Sequence, residues 1–327
     1  MTVDPTERGA ALLTVLLLVA VMATVAATVL DRVRLATRLA GNARGAAQAQ
    51  SWLGTAELIA MTRIEDLLAA QPKRVTLAGN WLGIPRSIDL PDGMRVRAVV
   101  GDGGNCFNLN ALAQLFDKKV LAPRPEGQLE FVALMSVVGI EPDRARKIAA
   151  AASDYIDDDD APSKDGVEAG GYPADALPAN RAMIDRTELR AVPGVRSQDY
   201  ARLERWLCAL PIVGKSPINV NTLRPEEAPL LVMLAQGKVD PVRARTILAQ
   251  RPASGYSSAD EFFNAPAFAS LTIPVAAREQ ANVVTLFFTL SASVEGKDAG
   301  QLLAERALID ARQMPARLLS RQWGEEL

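Results

Sequence analysis

The sequence predicts an α+β protein: one long N-terminal helix packed on an antiparallel sheet, with a large all-α domain inserted into that sheet. Three observations predict it. The chain opens with an uncharged apolar run that flows into a helical pattern. Alternating and β-branched segments occur in two separate stretches, residues 75–100 and 282–323. Between them the composition shifts to Ala, Leu, Pro and Arg at helical spacing.

The helix comes first. Met1 to Gly9 is short and polar, and Ala10 to Leu30 holds no charged residue. At about 1.5 Å per residue, a helix over this run reaches close to the roughly 30 Å of a bilayer core. Asp31, Arg32 and Arg34 end it. Three readings compete. A cleaved secretory signal would use the small residues Ala23, Ala26 and Ala27. A simple membrane anchor is the second. The third is one long helix, apolar at its start and amphipathic later. Leu35, Leu39, Ala43, Ala46, Ala47, Leu53 and Leu58 continue at helical period to about Arg63. The third reading places the helix at 10–65, with its membrane-spanning part at 10–30, behind a leader at 1–9. Charge does not set the orientation. Arg8 is offset by Asp4 and Glu7, and the arginines after the span mildly oppose an N-in topology.

The sheet is expected from residues 66–109 and 282–327. Arg74–Leu77, Ser87–Leu90 and Met94–Val100 read as strands, punctuated by Gly79-Asn80, Pro91-Asp92-Gly93 and Gly101-Asp102-Gly103-Gly104. Near the C-terminus Asn282–Val294 reads as a strong strand, Glu295–Gly300 as a turn, and Ala316–Trp323 as a last strand. Gln301–Arg312 fits strand or helix.

Residues 110–281 form the insert, and a repeat shows in it. Leu134 to Gly139 precedes Arg144–Ile148. Leu189 to Gly194 precedes Tyr200–Leu203. Leu230 to Gly237 precedes Val242–Ile247. Each is a short helix, a glycine turn and a second helix. Thr222, ahead of Pro225, is expected to cap a further helix. The repeats resemble helix-hairpin-helix units of the SAM-like kind, which can hold DNA phosphates. Glu141, Asp143, Asp185, Glu188 and Asp240 flank these hairpins as often as arginine does. That balance opposes phosphate binding, so no nucleic-acid partner is expected.

The acidic stretch Asp154-Tyr-Ile-Asp157-Asp158-Asp159-Asp160, followed by Asp165 and Glu168, is the most unusual chemistry in the chain. Adjacent carboxylates repel, and a hard cation held by oxygens would relieve them. It is no EF-hand loop. Counted from Asp157, Pro162 sits at the sixth position, where the turn needs Gly. A solvated loop capping nearby helices and a pair of catalytic carboxylates are the other readings.

Composition narrows the classes. Among 327 residues, 49% are hydrophobic, 23% are charged and the formal net charge is −2, which gives no broad basic face. There is no histidine, so His-based triads and His-bearing zinc sites are excluded. A membrane-anchored carboxylate hydrolase is not excluded, but no nucleophile motif supports it. Cys106 and Cys208 are too few and too far apart for a redox CxxC pair or a zinc site. They read as one long-range disulfide in an exported domain, or as two buried thiols.

Taken together, these residues carry a resemblance. The leader ending Arg8-Gly9 before Ala10-Ala-Leu-Leu-Thr-Val-Leu-Leu resembles that of a type IV pilin-like prepilin. Cys106-Phe-Asn-Leu-Asn-Ala-Leu, Asp154-Tyr-Ile-Asp-Asp-Asp-Asp, Asn180-Arg, Glu188-Leu-Arg-Ala-Val-Pro-Gly194, Cys208-Ala-Leu-Pro and Ile218-Asn-Val-Asn-Thr222 are similar, in order, to the K-type minor pseudopilins of the type II secretion system. The resemblance covers essentially the whole chain. It implies a pilin-like fold and a non-enzymatic protein that caps and helps initiate a periplasmic pseudopilus. It implies cleavage by prepilin peptidase after Gly9 and methylation at Ala10. The glutamate usual at the fifth mature position of pilins falls at Thr14, a departure the K type shares. The resemblance further implies a tip complex with I- and J-type minor pseudopilins on the major pseudopilin filament. It implies a single pass through the inner membrane with the C-terminal domain in the periplasm. It implies Ca²⁺ at Asp157, Asp159, Asp160 and Glu168, and a Cys106–Cys208 disulfide. The rival reading is a membrane-tethered helix-hairpin-helix DNA-binding protein of the DNA-uptake kind.

Overall fold

Helix α1 (Pro5–Ala70) is 66 residues long and unbroken. The computed structural model describes residues 5–90, 93–173, 176–296 and 300–324. From Leu12 to Ala47 every α1 side chain is exposed. Thr24 and Thr28 hydroxyls donate to the carbonyls of Val21 and Val25, each at 2.8 Å, so their polar atoms are satisfied inside the helix. From Ala49 onward the helix packs. Ala49, Leu53, Ala56, Ala60 and Ile64 are buried at steps of three and four.

The expected apolar face holds only at Leu53. Leu35 and Leu39 are each 59% exposed and Leu58 is 66% exposed. Apolar residues lie all round α1, so periodicity alone could not pick the packed side. The side that packs carries Ala49, Ala56 and Ala60 with Leu53 and Ile64.

Residues 74–77 form no strand, against expectation. Val75 N–H donates to Val283 O at 2.7 Å, and Thr76 is bound by the Gln71 side chain. The strands are β1 (Arg86–Asp89), β2 (Arg95–Asp102), β3 (Phe107–Asn108), β4 (Ala113–Phe116), β5 (Val120–Pro123), β6 (Leu207–Cys208), β7 (Phe287–Gly296), β8 (Gly300–Asp310) and β9 (Arg317–Gly324). Five of them form an antiparallel sheet in the order β1-β2-β7-β8-β9. The segment open between strand and helix is therefore a strand, β8. The expected turn at 295–300 is shorter: Glu295 and Gly296 still pair in β7, Gly300 opens β8, and 297–299 lie outside the described residues.

β2 and β7 are direct neighbours, with Val96 opposite Val294 and Val100 opposite Leu290. The chain thus leaves the sheet and returns beside its point of departure, which is what lets a large segment be inserted without breaking the sheet. Phe288, Leu290, Ala292, Val294, Ala307 and Ile309 form the buried side of the sheet under α1.

The inserted segment is not all-α. β4 and β5 form a hairpin with Asp117 at φ 48° and Lys118 at φ 59°. Its turn residues, Asp117-Lys118-Lys119, contain no glycine, so the usual hairpin signal was missing. The helices are α2 (Pro125–Val137), α3 (Pro142–Asp154), α4 (Ser197–Leu203), α5 (Ala228–Leu234), α6 (Pro241–Ala249), α7 (Ala259–Phe263) and α8 (Val275–Gln280). The three expected hairpins form: α2 to α3, the 3₁₀ turn Arg186–Ala191 to α4, and α5 to α6. Gly139, Gly194 and Gly237 break them at φ 86°, 88° and 75°, a left-handed conformation that ends helices and favours glycine. The insert has its own core, in which Phe107 stacks on Phe131 at 4.6 Å between ring centroids.

Candidate metal centre and the hairpin faces

α3 ends at Asp154, and the chain turns at once into the acidic run. Asp154 is fully buried, Asp157 is 1% exposed and Glu168 is 7% exposed. Asp154 Oδ2 accepts from the Ser163 N–H at 3.1 Å. Its Oδ1, Asp157 Oδ1 and both Glu168 oxygens are buried with no hydrogen-bond partner, as are Ser163 Oγ and the Tyr172 hydroxyl. Burial pushes the Asp157 carboxyl up to about 8, and repulsion from Asp154, Asp159 and Glu168 adds to it. Burial pushes Glu168 up to about 7, again with Asp154, Asp160 and Asp159 adding. A carboxylate stripped of water and of partners costs free energy until something neutralises it.

The remaining acids face elsewhere. Asp159 and Asp160 are exposed on the rim, where Asp159 Oδ1 accepts from Ala161 N–H at 2.8 Å and Asp160 Oδ1 accepts from Asn180 Nδ2 at 3.3 Å. Asp158 turns away. Its Oδ2 accepts from Leu121 N–H at 2.7 Å. A Cβ at Gly166 would collide with Asp154 Oδ2, so the loop closes over that carboxylate only because residue 166 is glycine. Among the described residues no three Asp, Glu, His or Cys groups are gathered into a finished ligand cage. The donor chemistry nonetheless fits a hard divalent ion, being all oxygen, buried and unpaired. The structure brings Asp157 and Glu168 together and leaves Asp159 and Asp160 at the edge. Sequence reasoning missed Asp154, although it opens the acidic run and only its place at a helix end conceals it.

The hairpin faces are built differently from a phosphate site. Such a site needs free backbone N–H groups where a helix begins. Here the Glu141 carboxylate accepts from the N–H groups of Asp143 and Arg144 at 2.9 and 3.0 Å. Asp240 accepts from those of Val242 and Arg243 at 3.0 and 2.9 Å. Asp199 accepts from Arg196 N–H at 3.0 Å. Two of the hairpin arginines are spent inside the protein. Arg144 pairs with Asp199 and donates to Gly194 O at 2.6 Å, while Arg202 donates to Gly139 O at 2.7 Å. The first two hairpins thus clamp each other's glycine turns. Burial works against the Asp199 charge, but bonds from Arg144 and Arg196 hold its carboxyl below the usual range.

Two Asn-x-Asn segments organise the insert. Asn108 Oδ1 accepts from Leu210 N–H at 2.9 Å, and its Nδ2 donates to Ile212 O at 2.8 Å and Lys215 O at 3.1 Å. Asn110 takes both backbone groups of Met183, N–H at 2.7 Å and C=O at 2.9 Å. Asn219 and Asn221 repeat the device. Asn219 Nδ2 donates to Val75 O at 3.1 Å and Thr285 Oγ1 at 3.0 Å, and Asn221 takes both backbone groups of Tyr256. All four asparagines are fully buried. Thr222 does not cap a helix. Arg224 holds that position, and the Thr222 hydroxyl donates instead to Asp102 Oδ2 at 2.7 Å, tying the insert to β2. Cys106 and Cys208 form a disulfide across 5.8 Å between Cα atoms, beside the Asn108–Cys208 pairing of β3 and β6.

The expected processing pair, Gly9 and Ala10, lies in a stretch whose side chains fall outside the described residues. Beyond it, α1 is long and apolar enough to cross a membrane.

Comparison with known proteins gives a consistent result. Residues 105–212 match the family profile described as type II secretion system (T2SS), protein K, and residues 218–285 match a second profile of the same description. Each match begins just ahead of an Asn-x-Asn segment. The chain is 33% identical over 264 residues to type II secretion system protein K of Klebsiella pneumoniae, covering 80% of each chain. It is 33% identical over 257 residues to the protein of that name from Pectobacterium carotovorum subsp. carotovorum, covering 77% of each. Among solved structures it is similar to a chain of the GspK-GspI-GspJ complex from enterotoxigenic Escherichia coli. There the TM-score is 0.73 at 30% identity, over 85% of this chain and 96% of that one.

Proposed function

The chain belongs to the type II secretion system protein K family, and on that premise we propose that it is the minor pseudopilin that caps and helps initiate a periplasmic pseudopilus. One observation carries this reading: the change of surroundings along α1. From Leu12 to Leu30 it is apolar and packs on nothing among the described residues, while from Ala49 onward it is the spine of the sheet domain. A bilayer and a bundle of like helices both cover such a surface, so the helix can be stored in the inner membrane and then withdrawn into a filament. With a mature chain starting at Ala10, Thr14 stands at the fifth position. A subunit without a carboxylate there has nothing to offer the amine of a subunit above it, which suits the tip. The insert, leaving from between β2 and β7, adds bulk that favours a terminal place.

The partners that fit are I- and J-type minor pseudopilins, above the major pseudopilin filament, after prepilin peptidase has acted at Gly9 and Ala10. The body then sits in the periplasm, where the Cys106–Cys208 bridge is stable. The role is one of assembly rather than catalysis. In the acidic loop Asp157 and Glu168, with Asp154 beside them, would hold Ca²⁺ from within, and Asp159 and Asp160 from the rim. A bound ion supplies the positive charge that these orphaned carboxylates lack.

The filled helix N-termini at Glu141, Asp199 and Asp240 weigh against the DNA-binding alternative. Co-expression with a prepilin peptidase and I- and J-type partners tests the main reading. The expected outcome is a co-purifying complex whose K-type chain begins, by intact mass, at Ala10. A retained leader, cleavage near Ala27 or no co-purification would sink it.

A further inference from the structure

The β4–β5 hairpin exposes apolar side chains beside the acidic loop. Phe116 is 70% exposed, Leu115 52% and Val120 47%. Its base is fixed from below. Ser153 Oγ donates to Leu112 O at 3.0 Å, and Arg124 N–H donates to the same carbonyl at 2.8 Å. Higher up, β5 is held by the acidic run. Asp158 N–H donates to Leu121 O at 3.0 Å, and Asp158 Oδ2 accepts from Leu121 N–H at 2.7 Å. This two-point clamp imitates a strand partner on the free edge of β5.

Asp157 and Asp158 are neighbours that face opposite ways. Asp157 is buried among the unpartnered oxygens of Asp154 and Glu168, while Asp158 is exposed and grips the hairpin. The clamp can hold only while the loop stays seated. Seating packs unneutralised carboxylates together, and a cation offsets that repulsion.

We infer that divalent-cation occupancy of the acidic loop fixes the β4–β5 hairpin in place through Asp158, so that the ion controls how the Leu115–Phe116–Val120 tip is presented. The inference builds on the calcium reading above and adds a consequence for a different element of the fold. Asp158 acts here as a positioning residue and not as a ligand.

The test uses the full chain in detergent micelles, with calcium or with a chelator. Calorimetry reports binding, and amide hydrogen exchange reports the hairpin. With calcium, amides of residues 115–121 should exchange about tenfold more slowly, as expected when a local opening is suppressed. The amides around Leu112 should not change. Asp158→Ala should still bind calcium, but its hairpin should exchange fast with or without the ion. Calcium binding with unchanged exchange at the tip overturns the inference, as does calcium-dependent protection that survives in Asp158→Ala. No binding heat at millimolar calcium removes the calcium reading itself, and this inference with it.

Discussion

Two buried polar clusters in the insert differ in one respect. In the Asn-x-Asn segments, side-chain donors and acceptors meet backbone partners, as Asn108, Asn110, Asn219 and Asn221 show. In the acidic pocket, Asp154 Oδ1, Asp157 Oδ1 and both Glu168 oxygens meet none. Both clusters are buried, so the difference is not one of exposure. A satisfied polar cluster is complete within the chain and can specify the fold. An unsatisfied one is a cost that a partner from outside can remove. The first kind reads as architecture and the second as a site.

The largest expected effect breaks the satisfied side. Asn108→Ala takes the partner from the buried Leu210 N–H and from the part-buried carbonyls of Ile212 and Lys215. Losing these three bonds should cost about 3 kcal/mol. A lower urea midpoint at unchanged slope would report it. A change below about 1 kcal/mol would mean that the asparagines do not hold the insert together.

The next effect completes the unsatisfied side. Calcium at a hundredfold excess over Kd should raise stability by about 2.7 kcal/mol. Asp157→Ala combined with Asp159→Ala should abolish that gain, and Asn108→Ala should keep it. A gain that persists in the double variant would place the ion elsewhere.

The last effect is in pH. In chelated protein Asp157 titrates at about 8 and Glu168 at about 7, both above the usual carboxylate range. The folded chain then keeps protons that the unfolded chain has released, so stability falls as pH rises from about 4 to about 8. Saturating calcium should flatten the upper part of that slope. What remains should belong to Asp102, which burial raises to about 6 against bonds from Thr285, Thr222 and Gly104, and to Glu130 and Glu305, which burial also raises. Asp185, Glu188, Asp199 and Asp310 are held below the usual range, so their contribution is lost only as pH falls below about 4. Identical urea midpoints near pH 6 and pH 8 without calcium would contradict the assignment.

The acidic run was visible in the sequence because charge density needs no fold to be noticed. Asp154 was harder to assign, since its role comes from standing at the end of α3 under the loop that Gly166 allows to close. The Asn-x-Asn segments were visible as motifs, but nothing local said that Asn110 would reach Met183 or that Asn221 would reach Tyr256. Thr222 shows the same limit. Local chemistry suggested a helix cap, and a carboxylate distant in sequence, Asp102, took the hydroxyl instead.

The sequence by itself determined the long α1 helix, the split sheet, the three glycine-broken hairpins and the acidic loop. Each follows from periodicity, turn chemistry or charge within a short window. The tertiary structure decided which face of α1 packs, whether residues 301–312 pair as a strand, and which acids lose water together. Those outcomes depend on surfaces brought from far along the chain. Burial is a property of the assembled fold, and burial is what turns a run of aspartates into a candidate site.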